Sequence, residues 1–136
     1  MYEYHGWVTI QVSADGDEPD GLLERAVDRV GRVVREFGNA QLVDLRYANG
    51  VPVLHLGGVL KRPSTVGASL LHLFIRVGEL APASYGLLHV HDDEDFAHGN
   101  EFRVYRMVRG QVTECADPFL SPVVPTVADA DAYAEF

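Results

Sequence analysis

The dipeptide Asn49-Gly50 constrains this chain more than any other feature. It stands between QLVDLRYA and VPVLHLGGVL, two runs of strand-forming residues. A two-residue type I′ turn needs positive φ at both central positions, and Asn and Gly tolerate that conformation best. The spacing therefore predicts an antiparallel hairpin, and with it a sheet against which the rest must pack. A chain of 136 residues buries one such core and is too short to divide comfortably into two.

The segment Tyr4 to Ser13 alternates, with Gly6, Val8, Ile10 and Val12 on one face and His5, Trp7, Thr9 and Gln11 on the other, which predicts a first strand. ADGDEPDG follows and offers Asp17 or Asp20 as an N-cap. Leu23, Ala26, Val27, Val30, Val33, Val34 and Phe37 then recur at helical spacing up to Gly38-Asn39. After the hairpin, Lys61-Arg62-Pro63 breaks the pattern and Ser64 or Thr65 is placed to cap a second helix. Its buried stripe is Val66, Leu70, Leu73, Phe74, Val77 and Leu80, and His72 falls on its exposed stripe. SYGLLHVH, EFRVYRMV and QVTEC predict three more strands, the last pair joined through Arg109-Gly110.

The order is βαββαβ with a trailing hairpin. Right-handed crossovers around a hairpin place both helices on one face of an antiparallel sheet, so the predicted class is α+β with a ferredoxin-like arrangement and a C-terminal β-hairpin extension. One domain is expected over residues 1–125, followed by an acidic flexible tail over 126–136.

A formal charge of −9 repels phosphate backbones and anionic lipid, which argues against nucleic acid and membrane surfaces as partners and favours a basic one. Solubility is the plainer account of the same charge. A single cysteine, Cys115, excludes an internal disulfide and reads as a small packing residue at a strand end. The opening MYEYHGWV lacks the basic and apolar regions of an export signal, and no apolar run approaches the roughly 20 residues of a membrane span. A cytoplasmic protein is expected.

Motifs for phosphate cradling, dinucleotide binding and the hydrolase elbow are absent. Ionisable groups instead concentrate in HVHDDEDFAHGNEFRVY, His89 to Tyr105. His89 and His91 are two apart on one strand and share a face with His5 and His55. In the expected strand order, His5, His89 and His91 with Asp92 form a candidate tetrahedral metal set. Histidines on the wet face of an antiparallel sheet are the commoner explanation. Asp92 to Asp95 do not match the calcium-loop spacing, and contiguous carboxylates in a wet turn lack the burial that acid–base catalysis needs. No cofactor and no catalytic residue are predicted.

Recognition is the remaining reading. A negative loop beside a sheet face carrying Trp7 and Tyr85 combines steering charge with an aromatic anchor. Alternatively Trp7 is core, covered by the trailing segments or by a second copy in a homodimer. A small metal-dependent enzyme or metal-binding domain using His5, His89, His91 and Asp92 is the competing class.

EYHGWVTI, SYGLLHVHDDED, NEFRVY and DPFLSP, in that order, resemble the immunity protein seven family of bacterial polymorphic toxin systems. The resemblance implies a non-enzymatic protein that binds and neutralises a cognate toxin domain. The family's motif residues fall on Gly6, Trp7, Tyr85, Gly86, Asp92 to Asp95, Asn100, Glu101, Arg103, Asp117 and Pro118. Gly6 and Gly86 are expected to allow close backbone approach. The expected partner-binding set is Trp7, Tyr85, Asp92, Asp93, Glu94, Asp95, Asn100, Glu101, Arg103 and Asp117, facing a basic toxin surface such as a nuclease channel.

Overall fold

Asn49 and Gly50 adopt φ of 52° and 80°, the left-handed pair that the hairpin requires. They join β2 (Leu42–Ala48) to β3 (Val51–Leu60). The computed structural model describes residues 1–38, 40–61 and 66–123. Within them the remaining elements are β1 (Tyr2–Thr9), α1 (Leu22–Phe37), α2 (Val66–Leu80), β4 (Tyr85–Asp92), a short 3₁₀ turn (Phe96–His98), β5 (Arg103–Val108) and β6 (Gln111–Ala116).

The strands form one antiparallel sheet in the order β2-β3-β1-β4-β5-β6. The class is α+β, as expected. The sheet departs from a simple ferredoxin-like one because β5 and β6 do not trail away as a separate hairpin. They continue the ladder outward from β4, with Arg109 and Gly110 making the second tight turn at φ of 48° and 72°.

Helical and strand periodicities meet in one core. Ala26, Val30 and Val34 of α1 and Leu70, Leu73, Phe74 and Val77 of α2 pack on Tyr2, Tyr4, Val8, Leu54, Leu56, Leu88, Val90 and Met107 of the sheet. Each such buried aliphatic or aromatic side chain contributes about 1.5–3 kcal/mol. The alternate strand residues, His5, Trp7, His55 and His89 among them, point to the other face, which neither α1 nor α2 covers. His72 is exposed on the outer side of α2, as its position in the helical pattern predicts.

Close backbone approach is concentrated at two places. A β-carbon on Gly86 would overlap the carbonyl oxygen of Trp7 and stand 2.8 Å from the Cα of Val8, so β4 lies against β1 where no side chain fits. At the end of α2, a β-carbon on Gly78 would stand 3.0 Å from the Cα of Gly110 in the β5–β6 turn. Leu87 and its neighbours thereby keep a continuous ladder from β1 to β5.

Several local expectations are corrected. Neither Asp17 nor Asp20 caps α1; Gly21 holds the cap position with φ of 81° and no side-chain bond. A turn in which Leu22 N–H donates to the Pro19 carbonyl (3.2 Å) brings Gly21 to that position first. The first strand begins two residues earlier than its alternation suggested, because Tyr2 pairs with both Leu60 and Asp92. Cys115 is exposed and does not pack in the interior, since on the edge strand β6 it pairs with Val104 on the face turned away from the helices. The expected caps Ser64 and Thr65, the helix-ending Asn39 and the acidic tail over 126–136 lie outside the described residues.

Candidate partner-binding site

The connection from β4 to β5 gathers the expected acids, and most of them already have internal partners. Asp92 closes its own turn by accepting the Glu94 N–H at 2.9 Å. Asp93 accepts from the Met1 ammonium at 2.6 Å. Asp95 accepts from His98 Nδ1 at 3.0 Å. That hydrogen bond, more than the partial burial that opposes it, holds the Asp95 carboxyl below the usual carboxylate range. Phe96, 96 % exposed, projects from the same turn.

Arg103 organises the far side of this corner. Its Nη1 donates to Glu101 and its Nε to Glu114, both at 3.0 Å. The Glu114 bond, followed by the one from Glu101, raises the guanidinium further above its ordinary value against the opposing effect of burial. Arg103 and Glu114 meet because β5 and β6 pair with Tyr105 opposite Glu114, one pleat from Arg103. Asn100 Oδ1 accepts the Val123 N–H at 2.9 Å, and the Asp117 N–H donates to the Phe102 carbonyl at 3.2 Å. These two expected binding residues thus tie the segment after β6 to the acidic connection.

A cleft of about 290 Å³ lies between this corner and the first turns of α2. Tyr2, Asp92, Asp95, His98, Arg103 and Glu114 line it, with Glu101 and Tyr105 at its wall. Strand alternation explains the membership: Asp92 pairs with Tyr2, and Glu114 with Tyr105, on the helical side of the sheet. The cleft lies beside the first turns of α2, at the end of the helix remote from the close approach of Gly78 to Gly110. Asp93 and Glu94 are exposed outside the cleft.

The histidines lie on the opposite face. His5 is directly across from His89, and His91 from Glu3. Phe102, only 7 % exposed, stands among the three rings at centroid distances of 6.5 Å from His5, 6.2 Å from His89 and 5.8 Å from His91. His5 Nε2 donates to Glu3 at 2.6 Å, and His91 Nε2 donates to the Gly99 carbonyl at 2.8 Å. Asp92 is turned to the other side of its strand. The four residues of the candidate metal set therefore do not converge, and among the described residues no cluster of three or more His, Cys, Asp or Glu side chains is arranged to hold a metal ion.

Trp7 and Tyr85 do come together, edge to face, with centroids 6.1 Å apart and planes at 87°. Trp7 is half-buried and Tyr85 is 43 % exposed. Trp7 also borders a shallow groove of about 540 Å³ with His5, Leu42, Asp44, His55 and His89. The groove exists because Gly57 contributes no side chain between Leu42 and His5. The expected set thus divides between two surfaces: Trp7 and Tyr85 on the open sheet face, and the acids with Arg103 around the corner and its cleft.

Tyr2, Phe102, Glu114 and the Met1 ammonium were not among the residues singled out in the sequence. Phe102 shares its signal, an aromatic residue in a polar connection, with the exposed Phe96, so the sequence does not tell the buried ring from the projecting one. The other three enter through pairing register and chain ends, which leave no local pattern.

Comparison with known proteins supplies a family. No curated protein matches this chain, and no solved structure does. The family described as Immunity protein 7 has a model that matches residues 1–129, nearly the whole length, including every element of the sheet and both surfaces described above. This chain belongs to the Immunity protein 7 family.

Proposed function

We propose that this protein is a cytoplasmic immunity protein that binds and neutralises the toxin domain of a cognate polymorphic toxin, without turnover. Its docking surface is the acidic corner formed by Asp92, Asp93, Glu94, Asp95 and Glu101, with the adjoining Asp117 segment, and its partner presents a basic surface such as a nuclease channel. The observation that carries this reading is the charge of the corner: four carboxylates border the cleft against one guanidinium, and Glu94 adds to them outside, where Asp93 is paired with the Met1 ammonium. A negative excess of this kind steers a basic partner into contact, while exposed aromatic surface such as Phe96 lengthens the stay.

The scaffold reads as a ferredoxin-like unit, β1 to β4 with both helices, extended by β5 and β6. The extension matters to function because Glu114 and Arg103 belong to it. Among the described residues no helix is long and apolar enough to cross a membrane, which accords with a partner met in solution.

Co-expression tests the assignment. Cells producing the toxin domain encoded beside this gene should survive when the protein is present, and the two should co-purify. Death of the cells together with a failure to co-purify would remove the immunity assignment.

A further inference from the structure

The cleft beside α2 has features beyond a wet acidic surface. Tyr2 is 5 % exposed, yet its side chain lines the cleft, and its hydroxyl makes no hydrogen bond among the described residues. The ring is buried while the hydroxyl itself opens on the cleft, where a ligand atom can pair with it. Burial, then the neighbouring Tyr105 and Asp92, hold this hydroxyl well above the usual phenol range, so it stays neutral and its oxygen remains an acceptor. Asp92, Asp95, Glu101 and Glu114 border the same space. Arg103 balances one of these charges, and among the described residues carboxylates outnumber guanidinium groups around the cleft. The first turn of α2, Gly67 and Ala68, adds at most about half a positive charge, which leaves the excess in place.

We infer that this cleft is a receptor for one arginine side chain, its guanidinium taken up by Asp92, Asp95 and the Tyr2 hydroxyl. Three features favour a guanidinium over a compact ammonium. Its planar fork satisfies several separated acceptors at once, it stacks on aromatic rings such as that of Tyr105 at the wall, and it is more weakly hydrated on entering a partly buried space. Arg103 already occupies the Glu101 and Glu114 side in this manner, at 3.0 Å from each, and leaves on the other side the Tyr2 hydroxyl with Asp92 and Asp95, each of which spends one oxygen on an internal hydrogen bond and keeps the other. The inference deepens the proposed function, on which it rests only for the statement that the arginine belongs to the toxin.

The receptor is testable without the toxin. The full chain, labelled for amide NMR, is titrated with N-acetyl-arginine amide and, separately, with the neutral N-acetyl-glutamine amide. Saturable shifts at Tyr2, Gly67, Asp92 and Asp95 are expected with the arginine derivative only, weakening as salt is raised. They should disappear in the Asp92→Asn/Asp95→Asn double variant and weaken several-fold in Tyr2→Phe, which keeps the ring and hence the packing. Shifts that are absent, that are equal for both derivatives, or that persist in the double variant would overturn the inference. With the toxin domain encoded beside the gene, Tyr2→Phe and Asp92→Asn should each weaken binding by about tenfold. Unchanged affinity in both would overturn the toxin arginine as the occupant while leaving immunity intact, whereas a wild-type chain that does not bind the toxin would remove the immunity reading and leave the titration to decide the cleft.

Discussion

Gly86 on β4 and Trp7 on β1 approach so closely that a β-carbon on the glycine would overlap the tryptophan's carbonyl oxygen. The obstructing atoms are backbone, so no rotamer change relieves the overlap, and the central strand pair would have to separate. Gly86→Ala is expected to cost about 2–3 kcal/mol, a large share of the 5–15 kcal/mol typical of a domain. Denaturant unfolding should give a lower midpoint with an unchanged slope. Gly6→Ala should cost less, because its β-carbon would meet a movable atom, Leu88 Cδ1, at 3.0 Å.

Phe102 fills the space between the rings of His5, His89 and His91 while its carbonyl holds the Asp117 N–H. Truncating it removes a buried aromatic and leaves a cavity under the acidic connection. Phe102→Ala should destabilise the fold by about 3–5 kcal/mol, and the ring-proton shifts of all three histidines should change together in NMR spectra. Invariance of those shifts would contradict the packing described.

The Asp95 carboxyl is held below its ordinary value chiefly by the His98 hydrogen bond. A depressed carboxylate contributes stability that is present above the unfolded value, about 3.9, and that is lost as pH falls through the lower folded value. In His98→Phe the bond is gone, so Asp95 should titrate closer to the ordinary carboxylate range. Carboxyl-carbon NMR across the acid range measures this directly, and an unshifted titration would refute the attribution to His98.

Asp93 and Glu94 project from the corner into solvent, and Asp92 and Asp95 face the cleft. Replacing Asp92, Asp93, Glu94 and Asp95 with their amides should slow association with the toxin by roughly tenfold at low salt and flatten its ionic-strength dependence. Dissociation should change less than it does on loss of an aromatic anchor. Stopped-flow mixing at several salt concentrations separates the two, and association rates unchanged at low salt would exclude the corner as the docking surface.

Much of this architecture was legible because it depends on local chemistry. Asn49-Gly50 fixed one hairpin through φ alone, helical spacing placed the buried stripe of α2, and alternation set His5, His55, His89 and His91 on one face. The resemblance carried in EYHGWVTI, SYGLLHVHDDED and NEFRVY agreed with the family match. Register and sheet edges were less visible. Alternation along β4 already turned Asp92 away from His89 and His91, yet a list of metal-binding residue types put the three together. The link from Arg103 to Glu114 depends on how two strands slide past each other, and the exposure of Cys115 on which strand is last in the sheet. Neither property is written in a short window of sequence.

The seam between Gly78 and Gly110 has a mechanical consequence for the far end of α2. Eleven residue steps of helix lead from Gly67 to Gly78, about 16 Å at 1.5 Å per residue. Bulk added at either glycine would push on this end of α2, and a helix packed through Leu70, Leu73, Phe74 and Val77 would carry the shift toward Gly67 and Ala68 at the wall of the cleft.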